Sequence, residues 1–397
     1  MPLPVRSFCI SVFPVLLLVA VVSPADDPAP KPIPSEAILQ RFAITKGADC
    51  VLVPVKIGGK EHQFLLDTGM GRTCFDPSLL AGEPQGTANL VTANGEVKLT
   101  LYDAPKGTVG DLPLTPPNTQ PVPVLAMDMT PFREASGHPI DGVLGIDFLD
   151  RHVLQIDSDR GELLFLKWAP ANIGESIPFN WNKLNVPEIT ANVAGIGKAQ
   201  FVIDTGMVGE ASGQLRGEDV RIGLRGGSLV QDHTTEAVTG AGTAKSILYQ
   251  GRRLDVGPFA VEKPVFAAIE KPADGGSESN LLGMSFMSRF VVTIDFPKGL
   301  MYLRKGDRYA KADRWNKSGI SLVKKGSAVT VDRVDEGSAA AAAEIRKGDV
   351  VLKIGSRQAD TASLAELWEE LLEPGRVTCV FSREGTKRLA ELDIPGR

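Results

Sequence analysis

The hexapeptide FLLDTG at residues 64–69 returns as FVIDTG at residues 201–206, 137 positions later. Two more landmarks return with it. Val143-Leu144-Gly145 is echoed by Leu281-Leu282-Gly283, and Gln155-Ile156-Asp157 by Thr293-Ile294-Asp295, each displaced by 138. Inside a copy, the aspartate of the triplet precedes the glycine of the later segment by 78 positions in the first case and 79 in the second. A spacing conserved between two halves of one chain constrains the fold more than composition does, because it demands two copies of one supersecondary arrangement. Between the landmarks, TANGEVKLTLY (92–102) aligns with TGAGTAKSILY (239–249) at a displacement of 147. The second copy therefore gains residues before this segment and loses them after it, a shift that belongs in loops.

Each copy reads as strands. Residues 51–57 and 63–67 cluster or alternate apolar side chains and are broken by glycine turns, the pattern of half-buried strands rather than helices. Ile57-Gly58-Gly59-Lys60 predicts a hairpin, and Asn94-Gly95 is the strongest short hairpin signal in the chain. With 41 glycines, 28 prolines and only 6% aromatic residues, the composition suits a turn-rich β protein. At 397 residues the chain is long enough for two or three cores.

With these residues in place, the chain resembles the aspartic protease clan, pepsin-like or retropepsin-like, over residues 37–307. In that clan each lobe supplies one Asp-Thr-Gly loop, and a hydrophobic-hydrophobic-Gly segment packs beneath it. The resemblance implies that Asp67 and Asp204 form a catalytic pair, that Thr68 and Thr205 cross-bond the two loops, and that Gly69 and Gly206 allow close approach. Two carboxylates about 3 Å apart cannot both ionise easily, so one holds a proton while the other is a base. A water activated between them would attack the scissile carbonyl, with neither a metal nor another cofactor required. The resemblance also implies a flap over the cleft. Residues 92–97, with Asn94 and Gly95, are the candidate in the first copy, and residues 239–243, with Gly240 and Gly242, in the second. The glycines there fit mobility and a plain turn equally well. Where the clan usually has a small residue after the triplet, this chain has Met70 and Met207. A thioether cannot donate to a carboxylate, which points to pair pKa values of the retropepsin rather than the pepsin kind. An inactive, peptide-holding relative of the clan is the alternative to an enzyme, and a lobe that works only in a dimer is a third reading that the duplication makes unnecessary.

From Trp315 the text changes. Residues 317–394 resemble a bacterial PDZ domain: Gly319-Ile320-Ser321-Leu322 as carboxylate-binding loop and strand, Glu336-Gly337-Ser338 before an alanine helix, Lys347-Gly348-Asp349 before a strand, and a helix within residues 361–373. Ser321 stands where the family commonly has glycine. Such a domain would add a peptide, or a C-terminal ligand, to an exposed sheet edge. Leu364, Leu367 and Trp368 recur at helical spacing, mostly as core, with one of them free to line a groove.

Other classes fit less well. A net charge of −5 with interspersed signs gives no basic stripe, so nucleic acid is not an expected partner. The histidines are His62, His138, His152 and His233, without a His-Glu-x-x-His pair, and no Gly-x-Ser-x-Gly elbow occurs. Arg6, the uncharged apolar run over residues 10–22 and Ser23-Pro24-Ala25 read as an export signal. The run is short for a bilayer span, although an uncleaved anchor is the other reading. Of Cys50, Cys74 and Cys379, the first two either form a bridge or are buried small hydrophobes.

The expected architecture is mainly β: two tandem pepsin- or retropepsin-like β-barrel lobes forming a pseudo-dimer, then a small α+β PDZ-like domain. The expected boundaries are a signal peptide at 1–25, a proline-rich linker at 26–36, lobes at 37–170 and 171–310, and the tail domain at 315–397. The expected partners are polypeptide substrates and peptide ligands of the tail domain, with no integral membrane span in the mature form. The expected location is exported: periplasmic, cell-envelope or secreted.

Overall fold

The computed structural model describes residues 32–46, 50–117, 119–120, 122–270 and 279–396. Ile33–Arg397 form one compact unit. The signal-peptide reading, and all but the end of the linker reading, lie outside the described residues.

Each copy of the repeat builds one sheet, and the two sheets have the same strand order. The first runs from Gly86–Thr92 through Gly95–Tyr102, Val124–Ala126, Cys74–Phe75, Gly142–Leu144, Lys60–Leu66, Leu52–Ile57 and Gly107–Val109 to Leu112–Pro113. The second runs from Leu229–Thr239 through Gly242–Gly251, Val265–Ile269, Gly213–Gln214, Asn280–Leu282, Gly197–Ile203, Pro187–Val193 and Arg253–Val256 to Phe259–Glu262, with Asn180–Trp181 paired to Pro187–Val193. In each, the strand leading to Asp-Thr-Gly lies parallel to the strand of the later segment: Leu66 opposite Leu144, and Ile203 opposite Leu282. Parallel neighbours must be buried on both faces, which is why Phe64, Leu66, Phe201 and Ile203 are fully enclosed.

The expected barrels are not formed. Both sheets are open, ending at Gly86–Thr92 and Leu112–Pro113 in one copy and at Leu229–Thr239 and Phe259–Glu262 in the other. Closure would need those end strands to bond each other. Instead one end of each sheet is a long hairpin whose tip meets the tip from the other copy, so the edges that a barrel would join point to different tasks. The architecture is mainly β with mixed sheets, plus a small α+β domain.

A third, six-stranded sheet is made by both copies, in the order Ile38–Ala43, Glu162–Leu166, Val153–Asp157, Phe290–Asp295, Leu300–Lys305 and Glu175–Pro178. At its centre Gln155 lies opposite Thr293, its own counterpart in the repeat. The Gln155 amide donates to the Thr293 hydroxyl at 2.9 Å in a buried position. The approximate twofold of the duplication passes through this pair. One apolar core, with Phe148, Leu154, Phe165, Phe286, Phe290 and Ile294, runs through this sheet into both copies.

The tail domain has its own core around Leu322, Val331, Leu367 and Phe381. Its main sheet runs Ile320–Lys325, Ala328–Val334, Val350–Ile354, Gly375–Arg383 and Thr386–Ile394, so Ile320–Lys325 is an edge strand. The helix Leu364–Leu372 starts in a capping box, with the Ser363 hydroxyl accepting from the Glu366 amide and the Glu366 carboxylate from the Ser363 amide. Leu364 and Leu367 are buried in the core, while Trp368 is half-buried. Cys74 and Cys379 are buried free thiols, so the bridge between Cys50 and Cys74 is not made. Among the described residues no helix is long and apolar enough to cross a membrane.

Candidate active site

The two Asp-Thr-Gly loops are delivered by equivalent strand pairs. The Asp67 amide donates to the Leu144 carbonyl and the Asp204 amide to the Leu282 carbonyl, both at 3.0 Å. Beneath each loop the later glycine leaves no room for a side chain. A Cβ on Gly145 would stand 2.8 Å from the Met70 carbonyl oxygen, and one on Gly283 would stand 2.9 Å from that of Met207. The apolar-apolar-Gly spacing in the sequence is thus a packing requirement.

Thr68 and Thr205 are fully buried and bond reciprocally. The Thr68 amide donates to the Thr205 hydroxyl at 3.0 Å, and the Thr205 amide donates to the Thr68 hydroxyl at 3.1 Å. Each hydroxyl then donates across the divide, Thr68 to the Ile203 carbonyl at 2.5 Å and Thr205 to the Leu66 carbonyl at 2.8 Å. Such buried bonds contribute about 1 kcal/mol each net, and leaving one partner unsatisfied costs more.

The cross-link brings the two carboxyl groups together. A Cβ on Gly69 would stand 2.6 Å from Asp204 Cγ, and one on Gly206 would stand 2.2 Å from Asp67 Cγ. Each carboxyl therefore lies in the space that the opposite glycine vacates. The Gly69 amide donates to Asp67 Oδ1 at 2.8 Å, and the Met207 amide donates to Asp204 Oδ1 at 2.9 Å. Burial, then the charge of Asp204, push the Asp67 carboxyl well above the ordinary carboxylate range. Burial also raises Asp204, opposed by hydrogen bonds from the Met207 amide, from Asp67 and from the Gly206 amide. Both carboxyls are thus raised, Asp67 the more strongly. The methionines after the triplets serve packing: Met207 joins Ala211, Leu248, Val265 and Trp315, and Met70 joins the cluster beneath the first hairpin. Their own amides face the carboxylates that a side-chain hydroxyl would otherwise serve.

The flap candidates meet above this pair. In the first hairpin Thr92 pairs with Gly95 around the turn Ala93-Asn94, and in the second Thr239 pairs with Gly242 around Gly240-Ala241. The Thr92 hydroxyl reaches the Gly95 carbonyl at 2.8 Å and the Thr239 hydroxyl reaches the Gly242 carbonyl at 2.9 Å. Across the gap, the Thr239 hydroxyl donates to Asn94 Oδ1. A Cβ on Gly240 would lie 3.1 Å from Thr92 Cγ2, so glycine there permits tip-to-tip contact.

Several residues around the site carried no signal in the sequence. The strand Leu229–Thr239 shifts register between Gln231 and Thr234, a bulge that turns Asp232 and His233 towards the tail domain. Asp232 Oδ2 accepts from the Trp315 indole at 2.5 Å and lies 2.6 Å from His233 Nδ1, with Lys317 at 3.5 Å from the other oxygen. Against the burial that would raise it, the bonds from His233 and Trp315 and the Lys317 charge hold Asp232 low. Glu210 accepts from the Asn316 amide at 3.1 Å, and burial pushes its carboxyl up to about 7. The buried Asp313 pairs with Arg289 at 2.5 Å and accepts from Ser212 and from the Val265 amide, both at 2.8 Å. Residues 313–316 are thereby fastened to the second lobe beside the aspartate pair.

In the tail domain, Gly319 has a φ of 76° and faces Ser338, where a Cβ would clash at 2.1 Å. The Ile320 amide donates to the Ser318 hydroxyl at 3.3 Å, which donates to Asn316 Oδ1 at 2.6 Å, and Asn316 Nδ2 donates back to the Ile320 carbonyl at 2.8 Å. Ser321 and Leu322 follow on the edge strand, Ser321 half-buried and Leu322 enclosed.

Residues 53–148 match the aspartyl protease family, and residues 318–394 match the PDZ domain family. No curated protein matches the chain. Among solved structures, the aspartic proteinase from Irpex lacteus is similar at 14% identity, over 69% of this chain and 98% of that one, with a TM-score of 0.43. The chain combines an aspartic-protease-like N-terminal region with a C-terminal PDZ domain.

Proposed function

We propose that the chain is an aspartic endopeptidase in which Asp67 and Asp204 activate water between them. The observation that carries this reading is the mutual approach of the two carboxyls through Gly69 and Gly206. With the proton weighted towards Asp67, Asp204 takes a proton from the water, which attacks the scissile carbonyl carbon. Asp67 donates to the carbonyl oxygen, and proton return to the amine completes hydrolysis. Thr68 and Thr205 hold the geometry. The hairpin tips with Asn94, Gly95, Gly240 and Gly242 close over an extended peptide and exclude water. The segment from Gly319 to Leu322 binds polypeptide by strand addition.

On this reading the first lobe is residues 37–170, the second 171–310 and the PDZ-like domain 315–397. The first 25 residues direct export to a periplasmic, cell-envelope or secreted location, with residues 26–36 as linker. Support comes from the apolar run over residues 10–22 and the small residues that follow it.

The test is cleavage of an unfolded protein across about pH 3 to 7 by wild type, Asp67→Asn and Asp204→Asn. Loss of more than ~100-fold in either variant is expected, the scale of general acid–base catalysis. Equal traces from all three remove the enzyme reading.

A further inference from the structure

The cleft above Asp67 and Asp204 does not end at the lobes. One cavity of about 1070 Å³ is lined both by the aspartate pair and by Ile320, Ser321, Leu322 and Val323 of the PDZ edge strand, with Trp368 beside them. The remaining part of that strand is closed off. Lys325 pairs with Glu134 of the helix Thr130–Ser136 at 3.9 Å, and a Cβ on Gly137, which ends that helix, would stand 2.9 Å from Leu364 Cβ. First-lobe residues therefore abut both Leu364 and the end of the strand. A ligand running the full length between strand and helix would collide with them, whereas the half-buried Ser321 and Val323 stay reachable from the cleft, with the side chains of Ile320 and Leu322 in the core.

The loop before the strand is also closed on itself. The Ile320 amide, which would have to receive a terminal carboxylate, already donates to Ser318, and Asn316 locks both ends of the loop. What is left for recognition is the outer sheet edge beyond Ile320, over Ser321–Val323, and an edge recognises extended backbone whatever follows it.

We infer that the edge Ser321–Val323 is an outlying subsite of the cleft, taking an internal, extended segment of the same polypeptide whose scissile bond lies at the aspartate pair. This rests on the protease reading for its scissile bond, and on the shared cavity alone for its ligand. It makes the PDZ domain a determinant of substrate length rather than a reader of free C-termini.

The experiment uses the full chain carrying Asp204→Asn and measures, by fluorescence anisotropy, the Kd of labelled apolar peptides extended stepwise from a core that fills the cleft. Each is made as free acid and as amide. Past a threshold length the affinity is expected to rise by ~10-fold, which is ~1.4 kcal/mol, equally for acid and amide. Trp368→Ala or Ser321→Lys, made separately in that background, is expected to remove the gain. Affinity independent of length overturns the subsite, and so does a gain that only the free acid shows. Because binding is read without turnover, the length gain persisting while wild type cleaves nothing would support the subsite and reject the protease reading.

Discussion

Thr68 and Thr205, 137 residues apart, each donate their amide to the other's hydroxyl in the buried interior between the two copies. With the hydroxyls donating on to the Ile203 and Leu66 carbonyls, four hydrogen bonds engage two amides, two hydroxyls and two carbonyls across the divide. The relation sets how far apart Asp67 and Asp204 can sit.

Thr68→Val therefore does more than remove one hydroxyl. It leaves the Thr205 amide and the Ile203 carbonyl without their partner. A stability loss of about 1–3 kcal/mol is expected, read from the midpoint of urea unfolding. Thr68→Ser keeps the hydroxyl and is expected to restore most of that loss. Equal destabilisation by Ser and Val would refute the hydrogen-bond explanation.

Gly69→Ala and Gly206→Ala push a methyl into the opposite carboxyl. A displacement of that size in a reacting group costs on the order of 100-fold in rate. Peptide cleavage is expected to fall by at least that factor in either variant, with the fold retained by circular dichroism. Full activity in both would mean that the carboxyls do not occupy this space during turnover.

The aspartate pair also shapes stability against pH. Both carboxyls are raised by burial, and Asp67 further by Asp204, so the native state binds more protons than the unfolded chain above the ordinary carboxylate value. Stability from this source is full below the ordinary carboxylate value of 3.8 and is lost as pH rises through the folded-state values. Asp67→Asn removes the group that carries most of this dependence. At neutral pH the variant is expected to unfold at a higher temperature than wild type, with the difference vanishing in acid. A variant less stable than wild type at neutral pH would speak against a strained charge in the site.

The junction to the PDZ domain carries two carboxyl groups shifted in opposite directions. Asp232 is held low, so its contribution is present above the ordinary value of 3.8 and lost as pH falls through its folded-state value. Glu210 is raised from 4.5 to about 7, so its contribution is full below 4.5 and lost as pH rises towards 7. Docking of residues 313–317 is expected to be tightest in mild acid. The indole N–H resonance of Trp315, assigned with Trp315→Phe, should stay sharp and shifted there and move towards the free-indole position on both sides. A resonance that shifts only in strong acid would remove Glu210 from the account.

Much of this is legible in the sequence. The duplicated triplets and their echoing glycines encode local contacts that recur in both halves, so spacing alone relates Asp67 to Gly145 and Asp204 to Gly283. The hairpins at Thr92–Gly95 and Thr239–Gly242 were visible through their alignment, although the Asn94-Gly95 signal misplaced the turn centre by one residue, because Asn94 is held by Thr92 and Thr239 rather than by hairpin geometry. Sheet closure was not legible. Strand content and alternation are the same for an open sheet and a barrel, and only the partner of the end strands distinguishes them. Nor was the bulge at Asp232-His233, whose function depends on Trp315 and Lys317 more than eighty positions away. Polar residues acting across that distance leave no local pattern.

The claim on which the rest depends is that Asp67 and Asp204 share one proton. Carboxyl-carbon NMR titration of both residues, each assigned with its Asn variant, reads this directly. One carboxyl is expected to remain protonated well above the ordinary carboxylate range, and replacing either residue should lower the pKa of the other. Two independent titrations at ordinary values, each indifferent to the other's replacement, would contradict it.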